Sequence, residues 1–228
     1  MKLLIIIPTY NEEMNICGVI EELNKKSSEY DYIIVNDGSS DSTREICKRN
    51  NYSFLDLPVN VGLSSCFQTG VIYAYNKGYD AVLQLDGDGQ HDPEYIKGMI
   101  RVMEETGCDI VIGSRFVSGK RSEMDVMKRI GSSLISACIL ITTGKRVKDP
   151  TSGMRLYNRS VMSRFKNDIN CHPEPDTLSY LISKGAKVKE VQVSIRERLY
   201  GKSYLNFSNS IKYMLKMCVS ILFIQMFR

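Results

Sequence analysis

The chain has no C-x-x-C pair, only two histidines, no long hydrophobic run and little net charge. Each absence removes a class of protein. The seven cysteines (Cys17, Cys47, Cys66, Cys108, Cys138, Cys171 and Cys218) are scattered singly. That odd, dispersed set fits reduced thiols in a cytosolic protein better than a disulfide framework or a zinc site. Most of them read as small core residues. His91 and His172 have no partner at metal-ligand spacing, so both read as structural or supporting groups. A net charge of +4 is too small to mark a nucleic-acid-binding protein. The N-terminal MKLLIIIPTYNEE is interrupted by Pro8 and is too brief for a signal sequence or a membrane span, so it predicts a buried strand. No repeat, low-complexity segment or interdomain linker stands out.

What remains is a chain of 228 residues, 43% hydrophobic and 25% charged. That is enough for one sizeable α/β domain. Short apolar runs alternate with helical spacing: strands are predicted at 3–7, 32–35, 53–57, 81–85 and 110–112, with helices at 12–27, from 43, at 61–77 and from 92. Asp92-Pro-Glu is a helix start, with Asp as cap and Pro in the first turn. This order predicts a mostly parallel sheet flanked by helices. In such sheets ligands sit beyond the carboxyl ends of the strands. Pro8–Glu12, Asp37–Ser42 and Asp86–Gln90 all fall there. The second half is less regular, with helices predicted at 126–141 and 174–183, short strands at 154–157 and 187–195, and a basic loop at 196–202. A last helix-like segment at 204–227 is strongly apolar after Lys216.

The stretch LQLDGDGQHDP asks why a strand should end in three aspartates. Asp86 and Asp88 are two residues apart and can face one side, with Gln90 adding a neutral oxygen. An oxygen-only set suits magnesium or manganese, ions that commonly bridge a carboxylate to substrate phosphates. Gly87 and Gly89 permit close approach of a bulky ligand. Asp92 is better explained as the cap. An isolated D-x-D is a weak signal.

Its companions are specific. The succession IIIPTYNEE, IIVNDGSSDST and LQLDGDGQHDP, each following a predicted strand, resembles the family 2 glycosyltransferases over about residues 2–200. GSRF, DPTSGMRLYNR and RERLYGKS further resemble the branch that contains dolichol-phosphate mannose synthase and bacterial polyprenyl-phosphate glycosyltransferases. The resemblance implies a GT-A, Rossmann-like catalytic domain over 1–203; the apolar spacing after it predicts a C-terminal amphipathic, membrane-associating helix over 204–228. The resemblance assigns Pro8, Thr9, Tyr10 and Glu12 to the loop that cradles the nucleotide. It also matches Asp37 to the aspartate that contacts base or ribose, and Asp86 and Asp88 to the metal-binding pair, with Asp88 as the direct ligand and Gln90 assisting. Two structural readings stay open beside these: turn chemistry for Thr9 and Tyr10, and an Asx-turn for Asp37.

On the acceptor side, Glu174 and Asp176 are general-base candidates for an inverting transfer to a hydroxyl. They are equally readable as first-turn helix carboxylates. By the same resemblance Arg115, Arg129, Ser133 and Arg198 bind acceptor or donor phosphate, with Lys202 close by; the arginine fork suits phosphate geometry. The C-terminal segment carries Met214, Leu215, Cys218, Val219, Leu222, Phe223 and Met226 at helical spacing, with Lys212, Lys216 and Arg228. It fits an in-plane helix at the cytoplasmic leaflet or a core or oligomer-contact helix.

The expectation is therefore a metal-dependent, inverting glycosyltransferase. It would use Mg or Mn and a UDP- or GDP-linked sugar, and act on a polyprenyl phosphate at the inner face of the cell membrane. A small membrane-anchoring partner or a homo-oligomer would supply what the short apolar segment does not. The alternatives are transfer to a saccharide hydroxyl in polysaccharide assembly, and a non-catalytic nucleotide-sugar-binding subunit. A nucleotidyltransferase is disfavoured, because IIIPTYNEE is acidic where such enzymes carry a basic, Gly-rich loop.

Overall fold

Strand β1 (Leu3–Thr9) is apolar almost throughout because both of its faces are covered: all seven residues are buried, as a central strand of a parallel sheet requires. In the computed structural model, which describes every residue except 119–125, 169, 199, 201–206 and 225–228, the first half alternates strand and helix. After β1 come α1 (Ile16–Ser27), β2 (Asp31–Asn36), α2 (Thr43–Arg49), β3 (Phe54–Asp56), α3 (Leu63–Asn76) and β4 (Ala81–Gln84). A 3₁₀ turn (Pro93–Tyr95) leads into α4 (Ile96–Thr106). Then follow β5 (Ile110–Ser114), α5 (Val126–Thr143), β6 (Arg155–Asn158), α6 (Arg159–Asn167), α7 (Pro175–Ser183), β7 (Val188–Gln192) and α8 (Phe207–Val219).

The seven strands lie in the order β3-β2-β1-β4-β6-β5-β7. All neighbours are parallel except β6, which is antiparallel to β4 and β5. The expected mostly parallel sheet is present; the reversal of β6 was not legible in the sequence. It has a consequence for function, because it starts β6 at the end of the sheet where β4 finishes. Alternate residues of β1 feed the two faces: Leu4 and Ile6 join one core cluster, and Leu3, Ile5 and Ile7 the other. The first cluster holds an edge-on stack in which the Phe165 ring lies 5.1 Å from Tyr157 and 6.5 Å from Phe67.

Helix α6 went unpredicted, although its signal is local. The Asn158 side chain caps it by accepting the Val161 amide at 3.1 Å, and Val161, Met162 and Phe165 form its buried stripe.

Helix α8 continues as a π-helical turn (Ser220–Ile224) and packs against α5 and α7. Met217 and Ile221 enter the core. Tyr213 Oη donates to Glu174 Oε2 at 2.6 Å and Ser220 Oγ to Asp176 Oδ2 at 2.7 Å. The other side of the segment is apolar and open: Leu215, Val219 and Phe223 are 58%, 52% and 62% exposed. No helix among the described residues is long and apolar enough to cross a membrane.

Candidate active site

Strands β1 and β4 are neighbours, yet the chain winds from β1 outward to β2 and β3 before returning to β4. That change of direction opens a crevice beyond their carboxyl ends, the usual ligand position in open α/β sheets. Three predicted loops meet there: Tyr10–Glu12 after β1, Asp37 after β2, and Asp86–Gln90 after β4. The reversed β6 delivers the loop 149–153 to the same place. The approach is close enough to require glycine twice. A Cβ on Gly87 would lie 2.9 Å from Thr9 Oγ1 and 3.2 Å from the Pro8 carbonyl oxygen, and one on Gly153 would lie 2.7 Å from Asp86 Oδ2.

The acids in this crevice are incompletely neutralised. Asp86 Oδ1 accepts from Gln84 Nε2 at 3.1 Å, the Asp86 amide donates to His91 Nδ1 at 3.2 Å, and His91 Nε2 is 3.7 Å from Asp86 Oδ2. Asp88 Oδ1 accepts the Gln90 amide at 3.1 Å, and Asp88 Oδ2 lies 3.9 Å from Arg198 Nη1. Burial, and after it the neighbouring Asp86 charge, holds the Asp88 carboxyl above the usual aspartate range. Glu12 is also buried; one oxygen accepts from Asn15 Nδ2 at 2.6 Å and the other pairs with Arg198. Burial raises Glu12 too, against the lowering effects of Asn15 and Arg198. A like-charged pair whose ionised form is disfavoured is one that a cation would relieve.

The donor set fits a divalent ion of the hard, oxygen-loving kind. Among the described residues no group of three His, Cys, Asp or Glu side chains could hold a metal. Ions of this kind are commonly carried on one or two carboxylates and completed by substrate phosphates and water. Asp86 and Asp88 are the carboxylates that could hold such an ion. Gln90 spends its amide N–H on the Arg196 carbonyl at 3.0 Å, so its oxygen is the one ligating atom it has to offer.

The other predicted residues separate into groups. Thr9 is buried and its hydroxyl bonds back to the Ile7 carbonyl at 3.0 Å, whereas Tyr10 is exposed. Asp37 is buried and accepts the Val61 and Gly62 amides at 2.8 and 3.0 Å, fixing the entry to α3. Arg115 grips Asp149 with two guanidinium bonds of 2.6 and 2.7 Å and reaches Thr151 Oγ1 at 2.9 Å. Arg129 and Ser133 are exposed, four residues apart on one face of α5. Glu174 accepts from Ser64 Oγ at 2.7 Å as well as from Tyr213, and Asp176 accepts from Ser220 as well as from its own helix. Both acids are thus bonded to helical scaffold. Lys202 lies outside the described residues. Asp92 caps its turn through the Glu94 amide at 2.9 Å, as expected.

Sequence reasoning missed Arg196. From the segment after β7 it pairs with Glu22 at 2.7 Å and with Asp92. The i, i+2 spacing of Arg196 and Arg198 was the available signal, since it places both on one side of an extended chain.

Sheet order, crevice and acid pair define an α/β fold of the GT-A class, and solved glycosyltransferases share it. Glucosyl-3-phosphoglycerate synthase from Mycobacterium tuberculosis, crystallised with Mn²⁺, UDP-glucose and phosphoglyceric acid, matches with a TM-score of 0.72 at 14% identity, over 97% of this chain and 79% of its own. The chain belongs to glycosyltransferase family 2: the profile described as Glycosyl transferase family 2 matches residues 4–165. Among its relatives, polyprenol monophosphomannose synthase of Mycolicibacterium smegmatis is 26% identical over 94% of this chain and 85% of its own length. Undecaprenyl-phosphate 4-deoxy-4-formamido-L-arabinose transferase of Proteus mirabilis is 30% identical over 93% of this chain, which spans 65% of that protein.

Proposed function

We propose that this glycosyltransferase moves a sugar, with inversion, from a nucleoside diphosphate sugar to a polyprenyl phosphate, and that it works as a peripheral protein on the cytoplasmic face of the membrane. The observation that carries the reading is the convergence of Glu12, Asp86, Asp88 and Arg198 at the carboxyl ends of β1 and β4. Acids there suit a cation-bound diphosphate, and the arginine suits a phosphate. When bound, magnesium or manganese supplies charge neutralisation for the departing diphosphate. Asp86 and Asp88 hold that ion, and the loop from Pro8 to Glu12, with Asp37 behind it, shapes the nucleotide side.

A phosphate acceptor is already anionic and needs cations more than a base. The bonding of Glu174 to α3 and α8, and of Asp176 to the π-helical turn that continues α8, favours that acceptor over a saccharide hydroxyl. Arg129 and Ser133 on α5 supply groups for the acceptor phosphate, and Arg198 for acceptor or donor phosphate. The names of the relatives point to the same acceptor class. The exposed Leu215, Val219 and Phe223, near Lys212 and Lys216, give the C-terminal segment a face suited to an anionic lipid surface.

The deciding experiment supplies radiolabelled UDP- and GDP-sugars with Mg²⁺ or Mn²⁺ to the protein in the presence of polyprenyl phosphate. Acid-labile product in the lipid fraction is expected, and Asp176→Asn should retain activity within about tenfold, because no base is required. Product on soluble glycan alone, abolished in Asp176→Asn, would replace this reading with the saccharide one. In a second test, Val219→Asp with Phe223→Asp should reduce co-flotation with phosphatidylglycerol vesicles while leaving the melting temperature within a few degrees. Unchanged flotation would remove this face from the membrane contact.

A further inference from the structure

The segment that follows β7 is buckled down over the acidic loop. Ile195 forms an antiparallel bridge with His91, the Arg196 amide donates to the Gln90 carbonyl at 3.0 Å, and Gln90 Nε2 returns a bond to the Arg196 carbonyl at 3.0 Å. Arg196 then fastens the strap to the body of the domain through Glu22 of α1 and through Asp92. Lys26 completes this cluster, 2.8 Å from Glu22 and 2.7 Å from Asp92. Two residues on, Arg198 turns into the crevice. Its guanidinium pairs with Glu12 and stands 3.9 Å from Asp88, while its Nε donates to the Tyr200 carbonyl at 2.8 Å. Asn15 joins Glu12 to the same carbonyl, with bonds of 2.6 and 3.2 Å.

A positive charge therefore already lies beside one of the two carboxylates that suit a divalent ion. Both charges cannot press on Asp88 at full strength, because like charges repel over a few ångströms in a partly dry site. The diphosphate of a donor changes the balance, since it offers the guanidinium a bidentate partner. We propose that Arg198 holds the cation's place between Glu12 and Asp88 until a divalent ion arrives together with the donor, and that Arg196 is the positioning residue that keeps it there. The inference rests on the reading of Asp86 and Asp88 as the metal pair. It makes metal binding dependent on nucleotide: the bare crevice resists the ion, and the diphosphate draws Arg198 off Asp88 as the metal takes over its charge.

The test measures Mn²⁺ binding to the full chain by the loss of the free-ion paramagnetic resonance signal, without nucleotide and with UDP or GDP. The unaltered protein should bind Mn²⁺ at least about tenfold more tightly with a nucleoside diphosphate than without it. Arg198→Gln should bind Mn²⁺ alone about tenfold more tightly than the unaltered protein, and Arg198→Lys, which keeps the charge, should return most of the way. Arg196→Ala should shift donor-free Mn²⁺ affinity in the same direction by a smaller factor. The Arg196→Ala/Arg198→Gln pair should show no further gain, because the first residue acts through the second. If Arg198→Gln, shown folded by its melting curve, leaves donor-free Mn²⁺ affinity unchanged or weaker, the placeholder is overturned; the metal reading survives if nucleotide still tightens binding. Additive effects of the two substitutions overturn the role of Arg196. If no variant binds Mn²⁺ under any condition, both the metal reading and the inference fall.

Discussion

Asp88→Asn is expected to lower glycosyl transfer by about 10²–10³-fold or more, the loss typical of removing one strong charge-stabilising group from a transition state. The melting temperature should hold steady or rise. The activity half follows from position: Asp88 sits on the loop after β4, beside the switch point of the sheet, with one oxygen spent on the Gln90 amide and the other facing Arg198. The stability half follows from charge. Burial and the adjacent Asp86 hold the Asp88 carboxyl above its usual range, which means that the fold disfavours its ionised form. An uncharged amide of nearly the same shape therefore removes a charge that the fold disfavours instead of breaking a support. Metal-dependent transfer assays and a thermal melt on the same preparation decide the matter. Undiminished transfer, or transfer that persists in excess EDTA, would end the metal assignment. A melting temperature about 10 °C lower would make Asp88 a structural residue, because that shift equals several kcal/mol in a chain of this size.

What the sequence revealed and what it hid divide by distance along the chain. The buried β1, the Asp92 cap and the placing of three loops at strand ends were readable because each depends on residues within a few positions of one another. Helix α6 was equally local and was simply missed. The distant partners of the candidate site residues were not readable. Arg115 finds Asp149 across 34 positions, Glu174 finds Tyr213 across 39, and Gln90 meets Arg196 across 106. No periodicity reports such pairings. The reversal of β6 belongs with them, since it brings Gly153 against Asp86 from the far half of the chain. The motif resemblance led to the family, but it did not distinguish a guanidinium aimed at a ligand from one that ties two loops together.

Arg115 tests that distinction most sharply. Its guanidinium is 15% exposed and Asp149 is fully buried at 0%. The Arg115 amide also donates to Asp149 at 3.0 Å, so the carboxylate joins the end of β5 to the loop before β6. Arg115→Ala leaves that carboxylate without its cation, and breaking a buried pair from one side costs about 3–5 kcal/mol. For a chain of this length the melting temperature should fall by about 6–20 °C. Arg115→Lys keeps the charge but not the two-pronged grip, so an intermediate loss is expected. Because the loop before β6 carries Gly153 against Asp86, loosening it should also reduce transfer. A brace predicts that activity and stability fall together across the Ala and Lys variants. An acceptor-phosphate ligand predicts the other pattern: a normal melting temperature for Arg115→Ala with a raised KM for the acceptor alone. Urea unfolding and acceptor titrations on both variants separate the two, and the bidentate grip on a fully buried carboxylate makes the brace the expected result.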